Sequence, residues 1–100
     1  MKRFSEMSAE ELSAEIEQLA ERMRRSESEG ERDVLKQRWL LARSYAVREN
    51  AFPPGPYRIE DRDERFTLRY VNGVMGWGTA ENGEERAYPL AVLRSENTNP

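Results

Sequence analysis

The first half of the chain carries apolar residues at the spacing of an amphipathic helix. One stripe recurs at intervals of four, three and four residues: Leu12, Ile16, Leu19 and Met23. This spacing places the four side chains on one face and predicts a helix from about residue 9 to about residue 26. The segment Ser8-Ala9-Glu10-Glu11 is typical of a capping box, in which the Ser8 and Glu11 side chains accept hydrogen bonds from each other's backbone N–H groups. The helix is therefore expected to begin directly after Ser8.

A second apolar stripe follows a polar linker and is wider than the first. The linker, residues 26–30, has no apolar side chain and contains Gly30, so it is expected to separate two helices. The stripe and its flanking residues are Leu35, Trp39, Ala42 and Ala46, with Val34, Leu41 and Tyr45. Such a broad stripe predicts contacts with both the first helix and the second half of the chain. Pro53 and Pro54 are expected to end this helix, because proline cannot continue its hydrogen-bond ladder.

Beyond Pro56 the pattern changes to the period-two alternation of β-strands. Asn72-Gly73 is the strongest short hairpin signal in this region, and Asn82-Gly83 supplies a second turn. Five short strands are expected near residues 57–59, 65–71, 74–79, 86–88 and 92–93, with a 3₁₀ turn at residues 89–91. The predicted architecture is α+β. An antiparallel helical hairpin over residues 1–54 precedes a five-stranded SH3-like antiparallel β-barrel over residues 55–100, packed together as one compact unit.

The Asn72-Gly73 turn also predicts which side chains share a face of the sheet. A two-residue loop at these positions would place Leu68 opposite Trp77 and Arg69 opposite Gly76. One face would then collect an apolar core set: Phe66, Leu68, Tyr70, Met75 and Trp77. The other face would carry a candidate partner-binding strip: Arg65, Thr67, Arg69, Gly76 and Gly78. Glycine at alternate strand positions would let another backbone approach this strip closely.

Two alternatives stay open for the glycine and aromatic positions. The second helix could itself cover the strip, with Trp39 or Tyr45 packed against the two glycines. Tyr57, Trp77 and Tyr88 could form an aromatic cage, although the expected pairing of Trp77 with Leu68 favours ordinary core packing.

The composition narrows the chemistry that the chain can support. Charged residues make up 35% of the sequence, yet the net charge is only −3. Cysteine and histidine are both absent, which excludes a disulfide scaffold and a thiolate or imidazole metal site, so we expect no metal and no cofactor. The sequence has no apolar run of the roughly 20 residues that span a bilayer, and no apolar signal region follows Met1-Lys2-Arg3-Phe4. A cytoplasmic protein is therefore expected.

Catalysis is the least favoured class of function. Without histidine or cysteine, acid–base and nucleophilic chemistry would fall to other side chains. Paired carboxylates do occur, such as Asp61, Asp63 and Glu64. They occupy a predicted turn, which favours a solvated surface over an active site. No glycine-rich phosphate loop is present, because Gly76 and Gly78 lie inside a predicted strand with no following helix. We therefore expect that the protein is not an enzyme.

The distribution of arginines makes binding to a partner the main functional hypothesis to consider. Two groups could contact phosphate: Arg58, Arg65 and Arg69 on the sheet, and Arg22, Arg24 and Arg25 on the first helix. The acidic pI of about 5.1 and the interleaved carboxylates instead favour ion pairs within the chain. The leading expectation is a non-enzymatic interaction module whose partner is another protein. A nucleic-acid-binding accessory role is the alternative, and the oligomeric state stays open.

Several short segments form an ordered pattern along nearly the whole chain. They are Arg3-Phe4-Ser5-Glu6-Met7, Glu11-Leu12, Ala42-Arg43-Ser44-Tyr45, Tyr57-Arg58-Ile59, the stretch from Phe66 to Gly78, and Pro89-Leu90 with Val92-Leu93. In order and spacing they resemble the YfhH family of small uncharacterised proteins from Bacillus-type bacteria. The resemblance implies a helical hairpin followed by an SH3-like barrel. It implies no catalytic or binding residues, because the family has no established activity.

Overall fold

The computed structural model describes residues 2–96 and has two helices followed by five strands. Helix α1 spans Ala9–Arg25 and helix α2 spans Glu29–Val47, with a short 3₁₀ helix, Phe4–Glu6, before them. The strands are β1 (Gly55–Ile59), β2 (Arg65–Asn72), β3 (Met75–Ala80), β4 (Glu85–Pro89) and β5 (Leu93–Ser95), and a 3₁₀ helix, Leu90–Val92, joins β4 to β5. The predicted domains, residues 1–54 and 55–100, include residues 1 and 97–100, which lie outside the described residues.

The start of each helix is fixed by a serine cap. The predicted capping box of α1 is confirmed, because Glu11 N–H donates to Ser8 Oγ over 3.1 Å and Ser8 N–H donates to Glu11 Oε1 over 2.9 Å. Helix α2 has its own cap, since Ser28 Oγ accepts from the N–H of Glu31. The linker between the helices is therefore shorter than predicted, and Gly30 lies in the first turn of α2.

The end of α2 does not depend on the prolines. The helix ends at Val47, well before Pro53, and a turn follows in which Asn50 N–H donates to the Val47 carbonyl. The predicted end at Pro53 and Pro54 is wrong because the apolar pattern stops earlier. Residues 48–50 are polar and exposed, so a further helical turn would gain no buried surface.

The five strands form one antiparallel sheet in the order β4-β3-β2-β1-β5. The predicted combination of a helical hairpin and a five-stranded antiparallel sheet is confirmed. The sheet is open among residues 2–96, with β4 and β5 as its outer strands, so the closed SH3-like barrel is not confirmed. No helix in the described part of the chain is long and apolar enough to cross a membrane.

Helix α2 connects two apolar clusters. Leu35 and Ala42 pack with Leu19 of α1, whereas Leu40 and Val47 pack on the sheet. The sheet cluster consists of Tyr57, Ile59, Phe66, Leu68, Leu90, Val92 and Leu93. The predicted contact of α2 with both halves is therefore confirmed, although Ala46 is exposed and does not take part.

Polar contacts also join α2 to the sheet. Ser44 is fully buried, and its Oγ donates to the Leu40 carbonyl and accepts from the N–H of Ala91 over 3.1 Å. Arg43 binds both carboxylate oxygens of Glu60 at 3.0 and 3.1 Å, and Arg94 contacts the same carboxylate. These hydrogen bonds from Arg43 hold the pKa of Glu60 below its ordinary value, against the opposing effect of burial. Helix α2 is therefore held on the sheet by bonds of defined geometry as well as by apolar packing.

Candidate functional site

The turn between β2 and β3 lies one residue further along than the sequence predicts. Asn72 pairs with Met75, so Gly73 and Val74 form the two-residue loop. Gly73 has a φ of +64° and Val74 does not have a positive φ, which matches a type II′ turn with glycine at its first central position. Val74 is buried in this loop, and its carbonyl accepts a hydrogen bond from Leu90 N–H.

A β-bulge in β2 then changes which side chains share a face. Leu68 pairs with Gly78 and Tyr70 pairs with Trp77, so Arg69 is an extra residue without an opposite partner. A bulge of one residue reverses the alternation of side chains beyond it. Leu68 therefore points into the core, while Tyr70 and Trp77 both lie on the outer side. The predicted core positions of Tyr70 and Trp77, and the pairing of Leu68 with Trp77, are wrong for this reason.

The two strand glycines lie on the inner side of the sheet. A Cβ atom on Gly76 would lie 2.8 Å from Leu68 Cδ1 and 2.9 Å from Leu93 Cδ1. A Cβ atom on Gly78 would overlap the backbone carbonyl of Thr67 on the neighbouring strand. Both glycines therefore provide space inside the protein, for core leucines and for the close approach of β2 at its bulge.

The predicted partner-binding strip is not one surface in the structure. Arg65, Thr67 and Arg69 are exposed, whereas Gly76 and Gly78 are buried. The alternative, a cover formed by Trp39 or Tyr45 of α2, is also not what surrounds these glycines. The side chains next to Gly76 belong to three leucines: Leu68, Leu90 and Leu93.

The outer side of the sheet instead carries two stacked aromatic rings, which we name the aromatic platform: Tyr70 and Trp77. Their ring centroids are 6.3 Å apart and their planes are inclined by only 6°. Tyr70 is 55% exposed and Trp77 is 39% exposed. On β4 the residue opposite Trp77 is Ala87, whose small side chain leaves that flank of the indole open. The platform is thus a pair of exposed, parallel aromatic rings held by cross-strand pairing.

The predicted arginine cluster on the sheet is paired with carboxylates. Arg58 and Arg65 are cross-strand neighbours on the outer side, and each lies 3.2 Å from Glu96 Oε1. Arg58 also contacts Asp63 at 2.6 Å, and the Nη1 atom of Arg69 lies 3.7 Å from Glu85. Each of these arginines therefore has at least one carboxylate within 4 Å.

Two of the three predicted arginines at the end of α1, Arg24 and Arg25, are paired in the same way. Glu21 contacts Arg24 at 2.5 Å and Arg25 at 3.0 Å. The Arg24 guanidinium lowers the pKa of the Glu21 carboxyl, and Arg25 adds to the effect. Since these side chains are exposed, the pairs have a small effect on stability.

The three aromatic residues of the predicted cage have different surroundings and do not share one side of the sheet. Tyr57 is buried, which raises the pKa of its phenol, and its hydroxyl donates to the Pro53 carbonyl. Tyr88 packs edge-on against Phe66 at 5.1 Å between centroids, and its hydroxyl donates to Glu64. Only Trp77 of the three belongs to the outer surface, so no cage forms.

The predicted carboxylate turn is exposed and dispersed. Asp61 has a φ of +68°, Asp63 contacts Arg58, and Glu64 accepts from Tyr88. Asp61 also borders a groove of about 590 Å³ between α2 and the end of the sheet, next to Lys36 and Arg62. Within residues 2–96, no group of three or more carboxylates is placed to hold a metal ion. These residues give no convergent acid–base pair.

The aromatic platform was missed because the sequence does not show where the bulge falls. Strict alternation from Arg65 to Val71 predicts an unbroken strand. The signal that could have located the bulge is the pair of glycines in the facing strand, because glycine in a strand often marks a bulge. Gly78 lies directly opposite Leu68, the residue before the extra Arg69.

Comparison with known proteins agrees with the resemblance seen in the sequence. Residues 2–94 match the model of a family described as "Protein of unknown function (DUF1811)". The chain is also 37% identical over 101 residues to "Uncharacterized protein YfhH" from Bacillus subtilis (strain 168), a match that covers 95% of this chain and 97% of that protein. The chain belongs to this YfhH-like family of unknown function.

Proposed function

We propose that this chain is a cytoplasmic, non-enzymatic module that binds another protein through the aromatic platform. The single observation that supports the proposal is the exposed stack of Tyr70 and Trp77, two large rings on the side of the sheet away from the α2 contacts. Aromatic side chains of this size dominate the energetics of protein interfaces when a partner covers them.

The platform is organised before any partner arrives. Its two rings are cross-strand neighbours, and the bulge at Arg69 directs Tyr70 outward. Binding would therefore order few additional side chains, which lowers the entropic cost of association. The neighbouring outward positions include three small uncharged residues, Thr67, Thr79 and Ala87, beside the exposed ion pair of Arg69 with Glu85. A protein partner that presents an apolar or aromatic side chain fits this surface.

A nucleic acid is the second candidate, because aromatic rings also stack on bases and Arg58 and Arg65 lie on the same side of the sheet. The ion pairs of these arginines with Glu96 oppose it. Phosphate binding would have to compete with a carboxylate already in contact with both guanidinium groups. We therefore favour a protein partner.

The test is affinity capture from a nuclease-treated Bacillus subtilis lysate with tagged versions of the chain. We expect the wild type to retain specific proteins that the Tyr70→Ala, Trp77→Ala double variant loses. The matched control is the Tyr70→Phe, Trp77→Phe double variant, which keeps both ring faces and should keep the captured proteins. Circular dichroism checks that each variant is folded.

Two outcomes would contradict the proposal. One is an identical set of captured proteins for the wild type and the alanine double variant. The other is capture that occurs only in a matched lysate without nuclease treatment, together with binding of labelled single-stranded DNA or RNA that weakens log-linearly as salt rises. That second outcome would assign the platform to nucleic acid.

A further inference from the structure

Helix α2 carries a third face that neither α1 nor the sheet covers. Six residues at alternating intervals of three and four define what we name the α2 seam: Glu31, Val34, Arg38, Leu41, Tyr45 and Arg48. Arg48 belongs to it because its backbone angles, φ −62° and ψ −21°, continue the helix. Val34 is 61% exposed and Leu41 is 40% exposed. This spacing is the heptad pattern by which helices pack along their length.

The other two faces of α2 are occupied. Leu35 and Ala42 face α1, and Leu40, Ser44 and Val47 face the sheet. Successive residues rotate by about 100° around a helix, so the seam lies between these two contact faces on the open side.

The N-terminal 3₁₀ helix borders the seam at Arg38 and Tyr45. The ring of Phe4 lies 6.3 Å from that of Tyr45, and the guanidinium of Arg38 lies 5.3 Å above it. These contacts hold Arg38 and Tyr45 in place without covering Val34 or Leu41.

We propose that the α2 seam packs against the same seam of a second copy of this chain, antiparallel about a two-fold axis. In that arrangement Glu31 faces Arg48 of the second copy, Val34 faces Tyr45, and Arg38 lies beside Leu41. Each contact occurs twice, because a two-fold axis repeats it. The two large apolar residues that are exposed on the helix, Val34 and Leu41, are then covered.

The charges along the seam favour a second copy of the chain as the partner, and they favour antiparallel packing of the two helices. The seam is acidic at Glu31 and basic at Arg48, so it is complementary to itself only when reversed. A parallel pair would place Glu31 on Glu31, Arg38 on Arg38 and Arg48 on Arg48, three contacts of like charge. Within its own chain Arg48 lies over the Tyr45 ring, 5.1 Å from its centroid, and its ion pair with Glu49 is long at 3.9 Å, so a closer carboxylate across the axis would strengthen its pairing.

The size of the seam sets the strength of the pair. A helix of this length extends about 28 Å, and a single helix face buries less than the roughly 800 Å² per partner of a standard interface. The dimer is therefore weak and depends on protein concentration.

The first test is sedimentation velocity with light scattering over a concentration series from about 10 µM to about 1 mM, where small interfaces associate. We expect the average mass of the wild type to rise toward that of a dimer. Leu41→Glu should remain monomeric throughout the series. Ala14→Glu adds the same charge on the exposed side of α1 and should behave like the wild type, and circular dichroism confirms that each variant is folded.

Charge reversal tests the direction of packing. Glu31→Arg and Arg48→Glu should each weaken dimerisation by roughly tenfold, because two symmetry-related pairs become like-charged. The double variant should restore the wild-type association, since opposite charges again face each other.

Three results would overturn the proposal. They are a wild type that stays monomeric at every concentration, a dimer that survives Leu41→Glu, and a double variant that stays as weak as the single reversals. Loss of the dimer in Ala14→Glu would equally overturn it, because that result would place the contact on α1. None of these measurements involves the aromatic platform, so they are independent of the proposed function.

Discussion

On the inner side of the β2–β3 hairpin Gly76 lies beneath leucine side chains and Gly78 lies against the backbone of Thr67, whereas the outer side carries the stacked rings of Tyr70 and Trp77. The inner side is packed against α2, whose Ser44 also bonds Ala91 in the neighbouring 3₁₀ helix. The outer side has no such cover in the described chain, and both of its large rings remain accessible. Side-chain size alone therefore does not decide what is buried; the space that the neighbouring elements leave decides it.

The largest expected difference between the two sides is at Gly78. Gly78→Ala should lower the free energy of unfolding by at least about 3 kcal/mol, because the added methyl group meets the rigid backbone of Thr67. Urea denaturation followed by circular dichroism measures this loss. Gly76→Ala serves as the milder companion, since the leucine side chains around it can shift. An equal or smaller loss for Gly78→Ala would contradict the close strand approach at the bulge.

The next largest effect is expected for the buried hydrogen bond between Ser44 of α2 and Ala91. Ser44→Ala removes the acceptor for the buried N–H of Ala91 and should destabilise the protein by about 1–3 kcal/mol. Ser13→Ala, at an exposed position on α1, is the matched control and should change stability by less than about 0.5 kcal/mol. If both variants unfold at the same urea concentration, Ser44 does not hold α2 on the sheet.

The ion pair of Arg43 with Glu60 should make the free energy of unfolding depend on pH in the acidic range. The pKa of Glu60 is lowered from its ordinary 4.5 in the folded state, so its contribution is fully present above pH 4.5 and is lost as the pH falls through the lowered value. Glu60→Gln should therefore cost about 1–2 kcal/mol at pH 7, and this cost should shrink as the pH approaches 3.

The measurement is urea denaturation of both proteins from pH 7 down to pH 3, with Glu17→Gln on the exposed side of α1 as the control. A difference between the wild type and Glu60→Gln that stays constant across this range would show that ionisation of Glu60 does not contribute.

The smallest effect on stability is expected on the outer side. Trp77→Ala removes one exposed cross-strand contact and should lower the free energy of unfolding by less than about 1 kcal/mol, in spite of the size of the side chain. Thermal and urea denaturation measure it. A loss of about 3 kcal/mol or more, typical of a buried tryptophan, would show that the indole belongs to the core.

The helical half followed closely from the sequence, whereas the faces of the sheet did not. The Ser8–Glu11 box and the stripe of α1 depend on residues within a few positions of each other, and these interactions form as predicted. The register of β2 depends on a turn and a bulge together. Moving the loop from Asn72-Gly73 to Gly73-Val74, and adding the extra Arg69, exchanged the expected sides of Trp77 and the glycines. Of the expected strip, Arg65, Thr67 and Arg69 are exposed, whereas Gly76 and Gly78 are buried.

By itself the sequence determined the elements: two capped amphipathic helices, a run of short strands and their antiparallel order. Local hydrogen bonds and apolar periodicity suffice for these, because each involves near neighbours in the chain. Only the tertiary structure decided which side of the hairpin is buried, since a shift of one residue moves every side chain to the opposite face. The packing of Leu68, Leu90 and Leu93 around Gly76 selected that shift, and it left Tyr70 and Trp77 facing outward.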